Sequence, residues 1–201
     1  LLANIYLNPL DERMSEAGFE MVRYADDLVV LCREPEEAER ALELLEQWME
    51  AVGLRLHPEK TKIIDLHEEG FDFLGYHFAA GKPGLPRIVK WPREKSLHRL
   101  KGKLKPITKR ANGRSLEATI EILNPILRGW FGYFQHSRRS TFVNVDGWVR
   151  GRLRGILRKR RKLRGRSRGA DHQRWPNAYF HERGLFSLTA AFDSAIQSSR
   201  R

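Results

Sequence analysis

Asp26 and Asp27 stand side by side in the segment FEMVRYADDLVVL at residues 19–31. The runs FEMVRY and LVVL are β-prone and flank Ala25-Asp26-Asp27, which predicts a hairpin with the acidic pair at its tip. Two carboxylates this close repel one another unless a cation neutralises them. Hard oxygen ligands suit Mg²⁺, which takes one or two carboxylates and completes its shell with water and substrate phosphates. In nucleotidyl transfer, two such ions act on the attacking 3′-oxygen and on the leaving group. An Asp-Asp pair taken alone is most often a solvated turn, because Asp favours turns. The apolar strands on both sides, with Tyr24 before the pair, favour a site over a plain turn.

The second constellation is cationic. Arg138-Arg139 is followed by Arg150, Arg152 and Arg154, then by Arg158, Lys159, Arg160, Arg161, Lys162, Arg164, Arg166 and Arg168. Arginine pairs bidentately with phosphate, and neutralising several phosphates gives strong, salt-sensitive binding. A single-signed run this long repels itself without a polyanionic partner, so nucleic acid is favoured over a solvated face. RKRRK also fits a nuclear localisation signal, which is the weaker reading. Trp130, Tyr133 and Phe134 are candidates for base stacking, although the helical spacing of Trp130 and Phe131 favours a core role. His136, His172 and His181 lack ligand-like spacing and are read as structural or surface residues.

Charge divides the chain. Residues 1–90 hold 10 Lys/Arg and 18 Asp/Glu, a net of −8, whereas residues 91–201 hold 27 and 7, a net of +20. Such asymmetry implies two modules with different work. Cys32 is the single cysteine, which excludes an intrachain disulfide and a thiolate-pair zinc site. No apolar run approaches the ~20 residues that span a bilayer, and Asn4, Asn8 and Pro9 interrupt any signal-like start. The first residue is Leu, and the chain reads as a fragment of a longer, cytoplasmic protein.

The elements that must position these groups form an α+β layer followed by an all-α basic module. Residues 1–10 read as the end of a helix with Leu2, Ile5 and Tyr6 on its apolar side. A helix opens at Pro35, striped by Ala38, Leu42, Leu45, Trp48, Met49 and Val52, and ends at Gly53. Strand pieces are expected at 54–56, 61–66 and 71–78. Residues 81–92 read as a linker, on the strength of Gly81, Pro83, Gly84 and Pro86. Helices are then expected over 94–104, from a Ser115 cap, from Pro125, and through Val149, Leu153, Ile156 and Leu157. The domain reading is 1–80, linker 81–92, and 93–201.

With these blocks in place, the sequence resembles the reverse transcriptases of group II introns and bacterial retroelements. YADDLVVL (24–31) resembles their metal-site motif and LLANIYLNPLDE (1–12) the template-contacting helix upstream. GLRLHPEKTKI (53–63) resembles the next palm block and FDFLGYHF (71–78) the hairpin that grips the primer end. LNPILRGWFGYF (123–134), RWPNAYF (174–180) and GLFSL (184–188) resemble the thumb, or maturase-specific, region. The resemblance implies the C-terminal half of a right-hand polymerase palm followed by a helical thumb. It implies Asp26 and Asp27 as metal-site carboxylates for Mg²⁺ (or Mn²⁺ in its place). Tyr24, Lys60, Lys62, Leu74 and Gly75 would then lie near nucleotide or primer; solvated lysines and a plain strand glycine are the bland alternatives.

The resemblance also implies the partners: group II intron RNA, an RNA template with a DNA primer, deoxynucleoside triphosphates, target DNA, and the fingers and N-terminal palm segment of the same protein. A bacterial cytoplasmic setting goes with them. The family's third metal-site aspartate is not in these residues, so the chain alone is expected not to polymerise. No Cys-x-x-C pair follows the thumb region. Two functions compete: a reverse transcriptase that is also a maturase, and an RNA-binding splicing factor that does not polymerise. A polymerase serving phage defence is a remoter third.

Overall fold

The computed structural model describes residues 2–82, 88–163 and 169–199. Arg164, Arg166 and Arg168, read above as part of the cationic run, lie outside them. The chain divides into two compact units, Leu1–Phe73 and Leu74–Arg201, and each is described by itself.

In the first unit, helix α1 (Leu2–Glu16) is followed by strands β1 (Glu20–Tyr24) and β2 (Asp27–Leu31), helix α2 (Pro35–Ala51) and strand β3 (Phe71–Phe73). β1 and β2 pair antiparallel, with Met21 opposite Val30, Arg23 opposite Leu28 and Tyr24 opposite Asp27. Side chains alternate across a strand. Met21, Leu28 and Val30 therefore pack with Leu7, Leu10 and Met14 of α1 and Ala41, Leu45 and Met49 of α2. Pro35 starts α2 where its missing N–H would be unpaired anyway. Gly53 ends the helix with a φ of +73°, and Leu54 N–H donates to Met49 O at 2.8 Å.

Two expectations fail here. The apolar side of α1 is not Leu2, Ile5 and Tyr6; Leu2 and Ile5 are 82% and 64% exposed, and the buried face is Leu7, Leu10 and Met14. The spacing at 7, 10 and 14 carries the helix beyond residue 10, to Glu16. Pro9 is exposed and the helix runs on through it. Residues 54–56 and 61–66 form no strand; they are turns and irregular backbone.

The second unit begins with β4 (Tyr76–Ala80) and β5 (Ile88–Pro92), which pair antiparallel with His77 opposite Trp91 and Phe78 opposite Lys90. β5 occupies positions read as linker. Five helices follow: α3 (Glu94–Ile107), α4 (Leu116–Phe134), α5 (Arg139–Arg160), α6 (Gly169–Arg174) and α7 (Asn177–His181), with α8 (Leu188–Ser199) closing the unit. Ser115 caps α4 as expected, its Oγ accepting from Ala118 N–H at 2.9 Å. Pro125 does not begin a helix; α4 passes through it. The residue whose carbonyl loses its helical partner to this proline, Glu121, is exposed and open to water.

The core of this unit joins Leu100 and Leu104 of α3, Leu116 to Leu127 of α4, and Phe142 to Leu157 of α5 with Trp175, Phe180, Leu185 and Leu188. Trp130 and Phe131 pack against it, which gives them the core role favoured by their spacing.

Leu10→Ala is expected to cost ~2–5 kcal/mol of stability because it empties a fully buried site. Ile5→Ala should change stability by less than ~0.5 kcal/mol. Urea unfolding of both variants checks the assignment of the helix face; equal losses would refute it.

Candidate functional site

The acidic turn is built by register. β1 ends at Tyr24 and β2 starts at Asp27, so Ala25 and Asp26 form a two-residue hairpin loop. Ala25 has a φ of +55° and Asp26 is not in the left-handed region. This is the sign pattern of a type II′ turn, whose first position favours glycine. Alanine there costs roughly 1–2 kcal/mol, so surrounding contacts must hold the turn.

Arg23 supplies them. Its Nε and Nη2 donate to the two oxygens of Asp11 at 2.7 and 2.5 Å, while Nη1 donates to Ala25 O at 2.9 Å and Asn4 Oδ1 at 3.2 Å. The guanidinium beside Asp11 is held above its ordinary pKa, chiefly by that hydrogen bond, and stays charged.

Tyr24, Asp26 and Asp27 are exposed. Neither aspartate has an ion-pair partner among the described residues, and those residues contain no group of three or more His, Cys, Asp and Glu able to hold a metal. Two exposed carboxylates on a hairpin tip suit a hard divalent cation, as part of a donor set rather than the whole of it. Lys60 and Lys62 are exposed on irregular backbone, with Lys60 N–H closing a turn onto His57 O at 3.0 Å.

In the second unit, Leu74 and Gly75 carry φ values of +48° and +82°, the two positive angles of a type I′ loop. A Cβ on Gly75 would sit 3.3 Å from Ser96 Oγ and 3.6 Å from the Phe134 ring, so glycine is required on two counts. The loop's carbonyls are taken. Leu74 O accepts from Tyr133 Oη at 2.7 Å, and Gly75 O accepts from Ser96 Oγ and Arg93 N–H, each at 3.0 Å. Tyr76 Oη donates to Tyr133 O at 2.6 Å, and burial pushes its phenol pKa up. Tyr133 is thus exposed yet tied to the loop backbone.

The arginines separate into two groups. Arg154 is 2% exposed and donates to Trp175 O at 3.0 Å and Asn177 Oδ1 at 2.9 Å; burial lowers its pKa. Arg158 pairs with buried Asp171 at 2.6 Å, and Arg150 lies 3.8 Å from buried Asp146. Arg152 donates to Thr108 Oγ1, Thr108 O and Lys105 O at 3.0–3.2 Å. These four point inward or along the protein; Arg152, Arg154 and Arg158 tie α5 to other segments, and Arg150 pairs within α5. Arg139 makes a bidentate pair with Asp193, both bonds at 2.8 Å, which holds that carboxyl below its usual range. Arg138 stacks 4.1 Å from the Trp91 ring centre, and Arg160 donates to Arg114 O.

Lys159, Arg161 and Lys162 are exposed at the end of α5. Beside that end lies a set that the arginine run eclipsed: Lys105, Lys109, Arg110 and Arg114, all exposed. Arg152 and Arg160 bond to this stretch, and a Cβ placed on Gly155 would sit 3.6 Å from Arg110 Nε. The end of α3, the loop after it and the end of α5 therefore form one cationic surface. The signal for it was plain in the charge count, since Lys and Arg between 95 and 114 are balanced by no acid.

A family model described as reverse transcriptase (RNA-dependent DNA polymerase) matches residues 1–78, across the acidic hairpin. A second, described as group II intron, maturase-specific domain, matches residues 97–175, across α3 to α6. The chain belongs to the group II intron reverse transcriptase/maturase family. Its mixed helix-and-sheet unit and its helical unit fit a palm portion and a thumb. No curated protein matches the chain. Among the described residues, no helix is long and apolar enough to cross a membrane.

Arg154→Ala should destabilise the protein by ~2–3 kcal/mol, because it strips partners from buried acceptors. Replacing Lys159, Arg161 and Lys162 together by Ala should leave the melting temperature within a few degrees and weaken RNA binding. The slope of log affinity against log salt should fall by about 2–3. Filter binding across a salt series, with calorimetry, distinguishes the two groups.

Proposed function

We propose that the protein carrying this chain extends a primer 3′-OH with deoxynucleotides along an RNA template, and that its basic helical unit binds the intron RNA and assists splicing. The observation that carries this reading is the hairpin tip with two exposed carboxylates that lack an ion-pair partner among the described residues, inside the segment matched by the reverse transcriptase model. When bound, Mg²⁺ would activate the primer oxygen and neutralise the leaving pyrophosphate. Asp26 and Asp27 would hold it, Asp26 directly and Asp27 in support. Tyr24, Lys60, Lys62, Leu74 and Gly75 are proposed as nucleotide and primer contacts. The Leu74–Gly75 loop is suited to backbone approach because its conformation is locked from behind by Ser96 and Tyr133.

The resemblance implies a third metal-site aspartate that is not among these residues, so the isolated chain is expected to be inactive in extension. The cationic surface at Lys105–Arg114 and Lys159–Lys162 needs no carboxylate, and it favours RNA binding as a separable activity. A splicing factor that does not polymerise is therefore the second reading.

Primer extension on oligo(dT)-primed poly(rA) with Mg²⁺ tests the choice, using the complete protein and its Asp26→Ala, Asp27→Ala double variant. Loss of extension by at least 10³-fold with RNA binding retained is expected from removing the metal ligands. Absent extension in the unsubstituted protein, with tight RNA binding, would select the splicing-factor reading.

A further inference from the structure

The turn that carries the acidic pair is held by a residue that no catalytic role requires. Ala25 sits at a φ of +55° without being glycine, so the tip does not fix its own conformation. Its carbonyl is gripped by Arg23 Nη1 at 2.9 Å. Arg23 cannot swing with the turn, because its Nε and Nη2 are fastened to Asp11 on α1 and its side chain is only 9% exposed. Asp11 lies on the same helix as Leu10, which is fully buried. The grip therefore runs from the core, through one carboxylate and one planar guanidinium, to the carbonyl directly before Asp26.

Register puts Arg23 on the helix-facing side of β1 and Tyr24 on the other. Arg23 thus acts from behind the tip rather than beside the substrate. Its charge is spent on Asp11, so it does not neutralise the acidic pair. What remains is geometry: a guanidinium fork can satisfy Asp11 and Ala25 O at once, whereas an ammonium cannot do so with the same rigidity.

The geometry points to Arg23 and Asp11 as a positioning pair that sets the direction of the Asp26 and Asp27 carboxylates and thereby the affinity of the tip for a divalent cation. This rests on the proposed polymerase reading for its purpose, but not for its test. Arg23→Lys keeps a charge for Asp11 and loses the fork. The reversed pair, Arg23→Asp with Asp11→Arg, restores an ion pair between β1 and α1 but leaves no donor from position 23 to Ala25 O.

In the complete protein, Arg23→Lys is expected to keep the melting temperature within a few degrees. Hydrogen exchange at the Asp27 amide, which pairs across the hairpin with Tyr24, should quicken at least tenfold, with α1 unchanged. Mn²⁺ binding, followed by electron paramagnetic resonance, should weaken at least threefold. The Mg²⁺ concentration for half-maximal primer extension should rise in step, with a smaller change in the KM for deoxynucleotide. The reversed pair should likewise keep the melting temperature within a few degrees and bind Mn²⁺ as weakly as Arg23→Lys does.

A merely structural staple predicts the opposite: exchange rising along α1 and β1 together, and Mn²⁺ affinity recovered by the reversed pair. Either result overturns the proposal, as does an unchanged exchange rate at the tip. If the unsubstituted protein fails to extend primers, the polymerase reading fails, while exchange and Mn²⁺ binding still decide the role of Arg23.

Discussion

The helical unit depends on one constraint: α5 passes through the core while carrying ionised side chains on its buried face. Burying a charge costs several kcal/mol unless it is paired and hydrogen-bonded. Asp146, Arg150, Arg154 and Arg158 recur at four-residue intervals, so they form one stripe along the helix. Arg150 lies beside Asp146 within α5, and the other three each draw a later segment onto the helix. Asp146 accepts from Ser187 Oγ and from the N–H groups of Leu188 and Thr189 at 2.9–3.1 Å, capping the start of α8. Arg154 takes the carbonyl of Trp175 and the side chain of Asn177, on either side of Pro176. Arg158 takes Asp171 of α6. The polar stripe thus specifies where the last third of the chain docks, and the apolar residues around it supply the burial.

The same logic separates two kinds of cation that look alike in one dimension. An arginine buried on an internal carbonyl cannot reach a phosphate outside, as with Arg154, whereas one exposed at a helix end can. The basic surface therefore comes to lie at the end of α5 and the neighbouring end of α3, not along the whole run. Asn124 completes the frame by accepting from Phe186 N–H and donating to Gly184 O, at 2.9 and 2.8 Å.

Both tight loops follow a common scheme. At Ala25 and at Leu74–Gly75, the backbone adopts positive φ and a carbonyl is captured by a side chain anchored elsewhere. In one case that anchor is Arg23 on Asp11; in the other it is Tyr133 and Ser96. A loop fixed by capture of its carbonyls presents its remaining groups in a constant direction, which is what a metal site or a primer contact needs.

The sequence by itself determined the elements whose signals are local. The acidic hairpin, α2 with its proline start and glycine end, the Ser115 cap and the division of charge were all legible, because turn chemistry, capping and periodicity act over a few residues. The tertiary structure alone decided three things. It chose the buried face of α1, where Leu7, Leu10 and Met14 meet α2 and the hairpin and leave Leu2 and Ile5 outside. It chose β5, a strand that exists because β4 pairs with it. And it sorted the arginines, since nothing in the run from 150 to 162 distinguishes a residue aimed at Trp175 O from one aimed at water. In each case the deciding partner lies far along the chain, so the free energy that settles the choice is absent until the chain has folded.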